Sequence, residues 1–280
     1  MPLPPSVRDP FPPGPTPRGL FDWATGPLPM DVHEIASGIQ VEQYLCGGGH
    51  LYPAQCEDDH TYVAKTFDDW DGVASSFPFA AYVGRACGAL GQPLERFETW
   101  ARQLLVSNEQ RLVEQAFWGG DAVLSSTGAL IDASPVDLGA ATSVKAGLAA
   151  LEQWAAANLV TRGIVHARPR VAPYAGGAGL LARDQTLVGA DDPRWTTHMG
   201  NMVVFGSGYS GTGPADEAVT ATTEHIAITG RVAIFQSPTI FVPRAQDVLN
   251  RGTNQVVMFA QREYSILIEC GAAMIEITLA

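Results

Sequence analysis

The sequence predicts an α+β fold in which two helices are followed by a run of strands. Three observations predict it. Apolar residues recur at helical spacing from Leu94 to Trp118, a shorter amphipathic helix begins near Val144, and apolar segments separated by loops fill the chain after residue 163. This order differs from a regular alternation of strands and helices, and there is no internal repeat, which favours α+β over α/β.

Composition limits the class of protein. The chain has 280 residues, a mass of 29.8 kDa, 46% hydrophobic residues and a formal net charge of −12. This apolar content suffices for a core and excludes wholesale disorder. No segment approaches the ~18 uninterrupted apolar residues of a membrane helix, and the N-terminus lacks the apolar region of a secretory signal. We therefore expect a protein that acts in the cytoplasm and does not associate with a membrane.

The low charged fraction has two explanations. Only 16% of the residues are charged, whereas about 25% is typical of soluble domains. Neighbouring molecules that cover much of the surface would explain the difference. A GC-rich genome would also explain it, because Lys65 and Lys145 are the only lysines against 15 arginines. The negative charge argues against a dedicated nucleic-acid-binding protein, which needs basic patches to contact phosphates.

The N-terminal part of the chain predicts extended structure. Residues 1–19 are rich in proline, which removes backbone donors, and they predict an arm that only a partner would order. Residues 38–56 predict two short strands around Gly47–Gly49, because roughly alternating apolar residues precede three glycines that permit a tight turn. An acidic loop follows at 57–72, and residues 77–86 predict a strand.

The strongest helical pattern extends from Leu94 to Trp118. Pro93 suits the start of a helix, and Gly119 suits its end. At 1.5 Å per residue this helix is about 37 Å long, roughly twice the mean length of helices in globular proteins.

A second helix is predicted from Ser143 or Val144 to about Ala157. Thr142 or Ser143 can cap its N-terminus, and Asn158 would tolerate a left-handed exit. The strands predicted after it are 163–167, 202–206, 225–235, 254–270 and 272–279.

The segment Gly206–Gly211 matches the G-x-G-x-x-G pattern of dinucleotide-binding loops and follows a predicted strand. Such a loop has to open a helix whose N-terminus holds the pyrophosphate. Here Thr212-Gly213-Pro214 follows, no convincing helix comes after it, and the segment is not part of an N-terminal βαβ unit. We therefore predict a glycine-rich loop rather than a cofactor site.

A repeated Cys-x3-His spacing offers two thiolates and two imidazoles, a ligand set for tetrahedral zinc: Cys46, His50, Cys56 and His60. The spacing matches no familiar zinc finger, and free cysteines are the simpler interpretation in a cytosolic protein, so we predict no metal. Cys87 and Cys270 are predicted to be small buried apolar side chains.

Nothing local predicts catalysis. There is no G-x-S-x-G nucleophile elbow, and no histidine lies near a serine and an aspartate in an arrangement that singles it out. The acidic clusters Asp68–Asp71 and Asp191–Asp192 could bind a cation, but such loops are more often solvated turns. We predict no catalytic residue and no cofactor.

Taken together, seven stretches resemble the major capsid proteins of tailed phages, particularly those of actinobacterial phages and prophages. This family shares one shell fold, the Hong Kong 97-type fold, with encapsulin compartments. The matching stretches are spread along the chain from residue 19 to residue 270 in family order, and their order and combination carry the resemblance. They are 19–27, 37–48, 77–91, 95–120, 148–172, 198–214 and 255–270.

The resemblance implies a division of the chain into family parts. These are an N-terminal arm at 1–30, an extended-loop region at 31–76, a peripheral domain at 77–129 with a spine helix at 94–118, an axial domain at 130–224, and C-terminal strands at 225–280 that return to the peripheral domain.

The resemblance also implies a function. The chain would assemble with itself, through pentamers and hexamers, into an icosahedral shell that encloses double-stranded DNA without sequence-specific binding. It would be a virion component assembled in the host cytoplasm. Because the chain reaches the matching region by Gly19, scaffolding would be separate or unnecessary. Portal or cement proteins are further expected partners.

Docking of the arm and the loop onto a neighbour is expected to use four apolar side chains: Phe21, Trp23, Tyr44 and Leu51. The physical reason is that an extended arm cannot bury apolar residues such as Leu20 by itself. Alternatives remain at this point. They are a minor vertex protein, an encapsulin-type compartment shell, a nucleotide-binding enzyme that uses Gly206–Gly211, and a zinc-dependent binding module at the Cys/His pairs.

Overall fold

The computed structural model describes most of the chain after the proline-rich N-terminus. The described residues are 19–42, 46, 73–88, 94–119, 130, 133–184, 194–209, 212–214, 217–244, 247–250, 252–253 and 255–279. The predicted arm at 1–18 and most of the segment 43–72 therefore lie outside the described residues.

The elements of the first half are α1 (Leu20–Trp23), β1 (Thr25–Pro29), α2 (Val32–Ser37), β2 (Ile39–Glu42), β3 (Val73–Ser76), β4 (Phe79–Gly88), α3 (Leu94–Trp118), β5 (Val136–Ala141) and α4 (Val144–Asn158). Those of the second half are β6 (Ile164–Ala167), a 3-10 turn (Pro169–Val171), α5 (Ala172–Gly177), β7 (Leu181–Asp184), β8 (Arg194–Thr197), β9 (Met202–Phe205), β10 (Thr223–Thr229), β11 (Val232–Gln236), β12 (Leu249–Asn250), β13 (Gln255–Ile268) and β14 (Ala272–Thr278).

The first sheet is built on the long strand β13. One side of β13 pairs with β4 from Gln255 to Tyr264. The other side pairs with β12 near its start and with β11 near its end, and β1 extends the sheet in parallel beyond β11. The length of β13 thus allows one strand to hold three partners at once.

The second sheet has seven strands in the order β5-β14-β10-β6-β9-β8-β7. Two tight turns connect the two sheets directly, from β10 to β11 and from β13 to β14. These turns are in contact, because the Gly230 amide donates to the Gly271 carbonyl at 3.1 Å. A side chain at Gly230 would collide with the carbonyl oxygen of Glu269, so only glycine permits this approach. We call this contact the joint between the sheets.

The predicted long helix is confirmed with both ends as predicted. Its N-terminal half lays Phe97, Ala101 and Leu105 on one side. This spacing of four residues forms a stripe along the helix. The stripe packs on alternate residues of one face of β13: Val256, Met258 and Ala260. The C-terminal half of α3 enters the central core between the sheets with Val113, Ala116, Phe117 and Trp118.

The second predicted helix, α4, is also confirmed, and it packs on the second sheet. Ser143 caps it by accepting a hydrogen bond from the Ala146 amide at 3.2 Å. The prediction of a left-handed exit at Asn158 is wrong. The helix ends at Leu159 with extended backbone, and the Asn158 side chain instead donates to the Trp154 carbonyl.

Two strand predictions need correction. The predicted strand at 225–235 is two strands, because the joint at Gly230 takes the chain from one sheet to the other. The predicted hairpin at 38–56 is also different: β2 pairs antiparallel with β3, from Ile39–Ser76 to Glu42–Val73. The sequence between them is therefore a long insertion, and Gly47–Gly49 lie outside the described residues.

Adjacent leucines on α3 provide a test of the packing. Leu105 is fully buried, whereas Leu104 is 37% exposed. We expect Leu105→Ala to lower the free energy of unfolding by about 3 kcal/mol, because it removes buried methyl groups and leaves a cavity. Leu104→Ala is the matched control, with an expected loss below about 1 kcal/mol. Urea unfolding of both variants measures the difference, and equal losses would contradict the assigned helix face.

Candidate functional site: a buried polar junction and an exposed sheet face

A buried carboxylate lies where the two sheets meet. Glu114 of α3 has no exposed surface. Its Oε1 accepts from the Leu20 amide at 2.9 Å and from Gln110 Nε2 at 3.0 Å. Its Oε2 accepts from the Gly208 amide at 2.8 Å and from Ser207 Oγ at 3.2 Å. One side chain therefore joins α1, α3 and the loop that follows β9.

Helical spacing explains why α3 can make these contacts. Gln110 and Glu114 are one turn apart and share one side of the helix, while Val113 and Phe117 enter the core. The loop after β9 then passes very close to α3. A side chain at Gly208 would collide with the backbone carbonyl of Arg111, so this position requires glycine.

These contacts also explain the G-x-G-x-x-G motif. In a dinucleotide site the loop amides bind phosphate, but here the Gly208 amide donates to the protein's own carboxylate. A buried carboxylate at that position repels an anionic ligand. In the described part of the region between β9 and β10 there is no helix to receive a pyrophosphate. The segment is therefore a structural loop as far as it is described, with Ser210 and Gly211 outside the described residues.

A second polar group, His166 of β6, is buried beside this loop. Its Nδ1 lies 2.8 Å from the Tyr209 hydroxyl, and its Nε2 lies 2.9 Å from Thr229 Oγ1. Because the Thr229 hydroxyl donates to the Gly230 carbonyl at 2.9 Å, it has to accept from the ring. His166 therefore carries its proton on Nε2, and Nδ1 accepts from Tyr209. The chain of hydrogen bonds ends at the joint.

Burial sets the protonation of this network. Desolvation lowers the pKa of His166 from its ordinary value of 6.5 to about 3, so the ring is neutral near pH 7. Desolvation, and secondarily the charge of Glu114, raises the pKa of Tyr209 well above its ordinary value, so its hydroxyl keeps the proton that it donates. Both groups stay uncharged over a wide range of pH.

Aromatic rings enclose the network. Trp118 stacks on Tyr209 with ring centroids 4.7 Å apart, and Phe117 lies 4.6 Å from the ring of His166. Trp118 Nε1 donates to the Thr212 carbonyl at 2.9 Å. We refer to Glu114, His166, Tyr209 and Thr229 with these rings as the buried junction. A sealed, hydrogen-bonded cluster of this kind holds elements in place and leaves no room for a substrate.

Two further carboxylates fix neighbouring elements. Glu109 of α3 accepts from the Tyr264 hydroxyl at 2.7 Å and pairs with Arg262 at 3.2 Å, which ties the helix to β13. Burial and then the hydrogen bond to Glu109 raise the pKa of Tyr264 above its ordinary value. In the second sheet, the buried Glu224 pairs with Arg168 at 3.1 Å. It forms a second ion pair with Arg170 of the 3-10 turn.

The face of the first sheet that points away from α3 exposes apolar residues. Tyr82 of β4 is 68% exposed and pairs across the ladder with Gln261. On the same face Val257 is 48% exposed, and Phe241, which is 53% exposed, contacts the ring of Phe259. We call Tyr82, Phe241, Val257 and Phe259 the exposed sheet face. A cluster of large exposed apolar residues is typical of an interaction surface.

This face was missed by the sequence analysis, although a signal exists. The segment FPFAAYV at 77–83 is apolar at nearly every position instead of alternating. An uninterrupted apolar strand is typical of a strand that is covered on both faces. Among the described residues, α3 covers one of these faces, and the other is exposed.

Of the four predicted docking residues, two lie among the described residues. Trp23 is buried in the chain's own core, under the guanidinium of Arg194 at 5.1 Å, and Phe21 packs partly against the same core. The expectation that Leu20 and Trp23 need a neighbour's surface is therefore wrong, because α1 lies against α3 and β9. A role of Phe21 in assembly stays a prediction. Tyr44 and Leu51 lie outside the described residues.

The prediction about the cysteines is wrong for two of them. Cys46 and Cys270 form a disulfide, so Cys270 is not a free buried thiol. The bond also removes the Cys46 thiolate from the candidate zinc set. His50, Cys56 and His60 lie outside the described residues.

No protein-family model matches the chain, and no curated protein matches it. Solved structures do. The capsid of an empty GTA particle is 14% identical, with a TM-score of 0.53 over 99% of this chain and 95% of that chain. Mycobacterium phage Adephagia gives 13% identity and a TM-score of 0.55, over 95% and 92% of the two chains. The SrpI encapsulin of Synechococcus elongatus PCC 7942 gives 11% and 0.51, over 96% and 91%.

These likenesses establish the fold. The chain is an α+β protein with the Hong Kong 97-type shell fold that phage capsid proteins share with encapsulins, as predicted. Among the described helices, none is at once long and apolar enough to cross a membrane.

Burial of His166 predicts a pH dependence. The unfolded chain binds a proton on this histidine below about pH 6.5, whereas the folded chain stays neutral down to about pH 3. Stability is therefore lost as the pH falls through this window, by about 1.4 kcal/mol per pH unit from His166 alone. His166→Gln should remove this part of the slope. Urea unfolding between pH 4 and 7 measures it.

The control for this measurement is His198→Gln, because His198 is exposed and its ring bonds the Gly179 carbonyl. We expect the slope of the control to equal that of the wild type. Identical slopes for wild type and His166→Gln would contradict the buried neutral ring.

Proposed function

We propose that this chain is the structural subunit of an icosahedral shell that assembles from copies of itself, as pentamers and hexamers, and encloses double-stranded DNA. The observation that carries the proposal is the likeness to shell subunits over nearly the whole chain, from the first described helix to the last strand. A likeness of this extent includes both sheets and α3 rather than one shared motif.

The exposed sheet face supports the proposed assembly, because it is an apolar surface onto which a partner can pack. Burial of apolar surface is the main favourable term in association. Apolar side chains on the second face would gain stability if a partner removed them from water. A second copy of the chain is the partner we propose, because shells are closed by repeated contacts between identical subunits. Tyr44 and Leu51, together with Phe21, are proposed to dock onto neighbours in the same assembly.

The charge of the chain supports enclosure rather than binding of DNA. A formal net charge of −12 repels a polyanion. A shell wall of this composition would confine DNA without adhering to it. We place the assembled subunit in the virion and its assembly in the host cytoplasm, with scaffolding, portal or cement functions supplied by other proteins.

We propose no catalytic role. The buried junction is closed by aromatic rings, and its hydrogen bonds are made within the chain. The work of the protein would then lie in its surfaces.

A compartment shell of the encapsulin type is the second candidate. It is favoured by the likeness to an encapsulin over 96% of this chain at a TM-score close to those of the phage capsids. A minor vertex subunit would have the same fold. The contents of the particle separate the first two candidates, since one would hold DNA and the other a protein cargo.

Electron microscopy of the purified full-length chain and two variants tests the proposal. We expect closed particles from the wild type. Tyr82→Glu should reduce the yield of particles by about tenfold or more, because a desolvated charge in an interface costs several kcal/mol. Tyr174→Glu is the matched control, because Tyr174 is an exposed tyrosine on α5, away from the exposed sheet face.

Circular dichroism should show that both variants fold. Particles obtained from virions should contain DNA that resists nuclease until the shell is opened. A monodisperse monomer under every assembly condition, without virion association, would contradict the shell, and protein-filled particles would favour the compartment.

A further inference from the structure

The disulfide between Cys46 and Cys270 lies at the joint between the two sheets. Cys270 occupies the turn from β13 to β14 with a φ of 66°, and Gly271 beside it accepts the hydrogen bond that closes the joint. Cys46 follows β2 by four residues and lies within the long insertion between β2 and β3. The bond thus links the start of that insertion covalently to the joint. We call this start, together with β2 and β3, the base of the insertion.

Only weak contacts otherwise hold this base. β2 and β3 form a separate two-stranded sheet, which is marginally stable by itself. Its described attachments to the core include the contact of β3 with β13, the buried Ile39, and a hydrogen bond of 2.8 Å between Ser76 Oγ and Ser265 Oγ of β13. Ser265 lies in the last part of β13, and Cys270 lies two residues after the end of that strand. The small sheet is therefore held near one end by these contacts and near the other by a covalent bond.

The bond is reachable from solvent. Cys46, Glu269 and Cys270 are each only partly buried. Arg231 holds the Glu269 carboxylate through two hydrogen bonds of 2.6 and 3.0 Å, which keeps that charge beside the sulfurs paired. The two cysteines are 224 residues apart in sequence. Because loop-closure entropy grows with the length of the closed loop, this link restrains the unfolded chain strongly.

We propose that Cys46 and Cys270 form a redox latch, which is open as two thiols during assembly and closed as a disulfide in the finished particle. The inference rests on the proposed shell function. Thiols stay reduced in a cytoplasm, whereas disulfides persist outside cells. The open latch leaves the base of the insertion free to adjust to a neighbouring subunit. The closed latch fixes it to the joint.

The chemistry is thiol–disulfide exchange with a small-molecule disulfide such as oxidised glutathione. The thiolate of one cysteine attacks the small disulfide, forms a mixed disulfide and releases one glutathione thiolate. The second cysteine then attacks the protein sulfur and releases the other. Two electrons pass from the two protein thiols to the small disulfide, and the two protons end on the two glutathione thiols.

The test compares reduced and oxidised full-length protein by differential alkylation and hydrogen exchange. After oxidation with glutathione disulfide, Cys46 and Cys270 should resist iodoacetamide until dithiothreitol is added. Reduction should then speed amide exchange in β2 and β3 by about tenfold or more and leave β6 unchanged. Cys46→Ser should show the fast exchange in both redox states. Cys87→Ser is the matched control and should respond like the wild type.

Two results would overturn the latch. One is alkylation of Cys46 in the oxidised protein, and the other is exchange in β2 and β3 that is the same in both states. The shell proposal is tested separately, by whether particles form. Finished particles in which Cys46 and Cys270 stay as thiols after exposure to glutathione disulfide would remove only the latch, and a disulfide in a chain that never assembles would remove the shell and with it the stage at which the latch would close.

Discussion

The carboxylate of Glu114 is buried without exposed surface, and burying such a group costs several kcal/mol unless hydrogen bonds compensate. Four donors from α1, α3 and the loop after β9 provide that compensation. None of these segments can move away without leaving the carboxylate partly unsatisfied. The position of α1 and the path of the glycine-containing loop therefore depend on this one side chain.

The buried junction separates a fixed interior from outer surfaces that are available for contacts with other molecules. The same loop continues to Tyr209, whose hydroxyl bonds His166, and His166 in turn bonds Thr229 beside the joint at Gly230. The loop after β9 is therefore tied to α3 on one side and to the second sheet on the other. Around this interior lie the exposed sheet face and the small sheet of β2 and β3. A subunit that has to fit identical neighbours benefits from such a division, because a fixed interior keeps the contact surfaces in register.

Periodicity in the sequence was sufficient to predict α3, α4 and most strands after residue 163, because these elements bury one regular stripe or run. It was not sufficient for contacts between distant segments. Glu114 looks like one of several glutamates on an exposed helix face, and only the folded chain brings Gly208 to it. Cys46 and Cys270 carry no local sign of pairing across most of the sequence. The exposed sheet face had a readable signal in residues 77–83, but recognising it requires knowing that one helix covers one side.

Equilibrium urea unfolding of Glu114→Gln, compared with Gln103→Ala on the exposed side of the same helix, tests the dependence on Glu114 most directly. Glutamine keeps the shape but offers one acceptor oxygen and turns an N–H group towards donors. We expect a loss of about 2 kcal/mol or more for Glu114→Gln and less than about 0.5 kcal/mol for the control. Equal and small losses in both variants would contradict it.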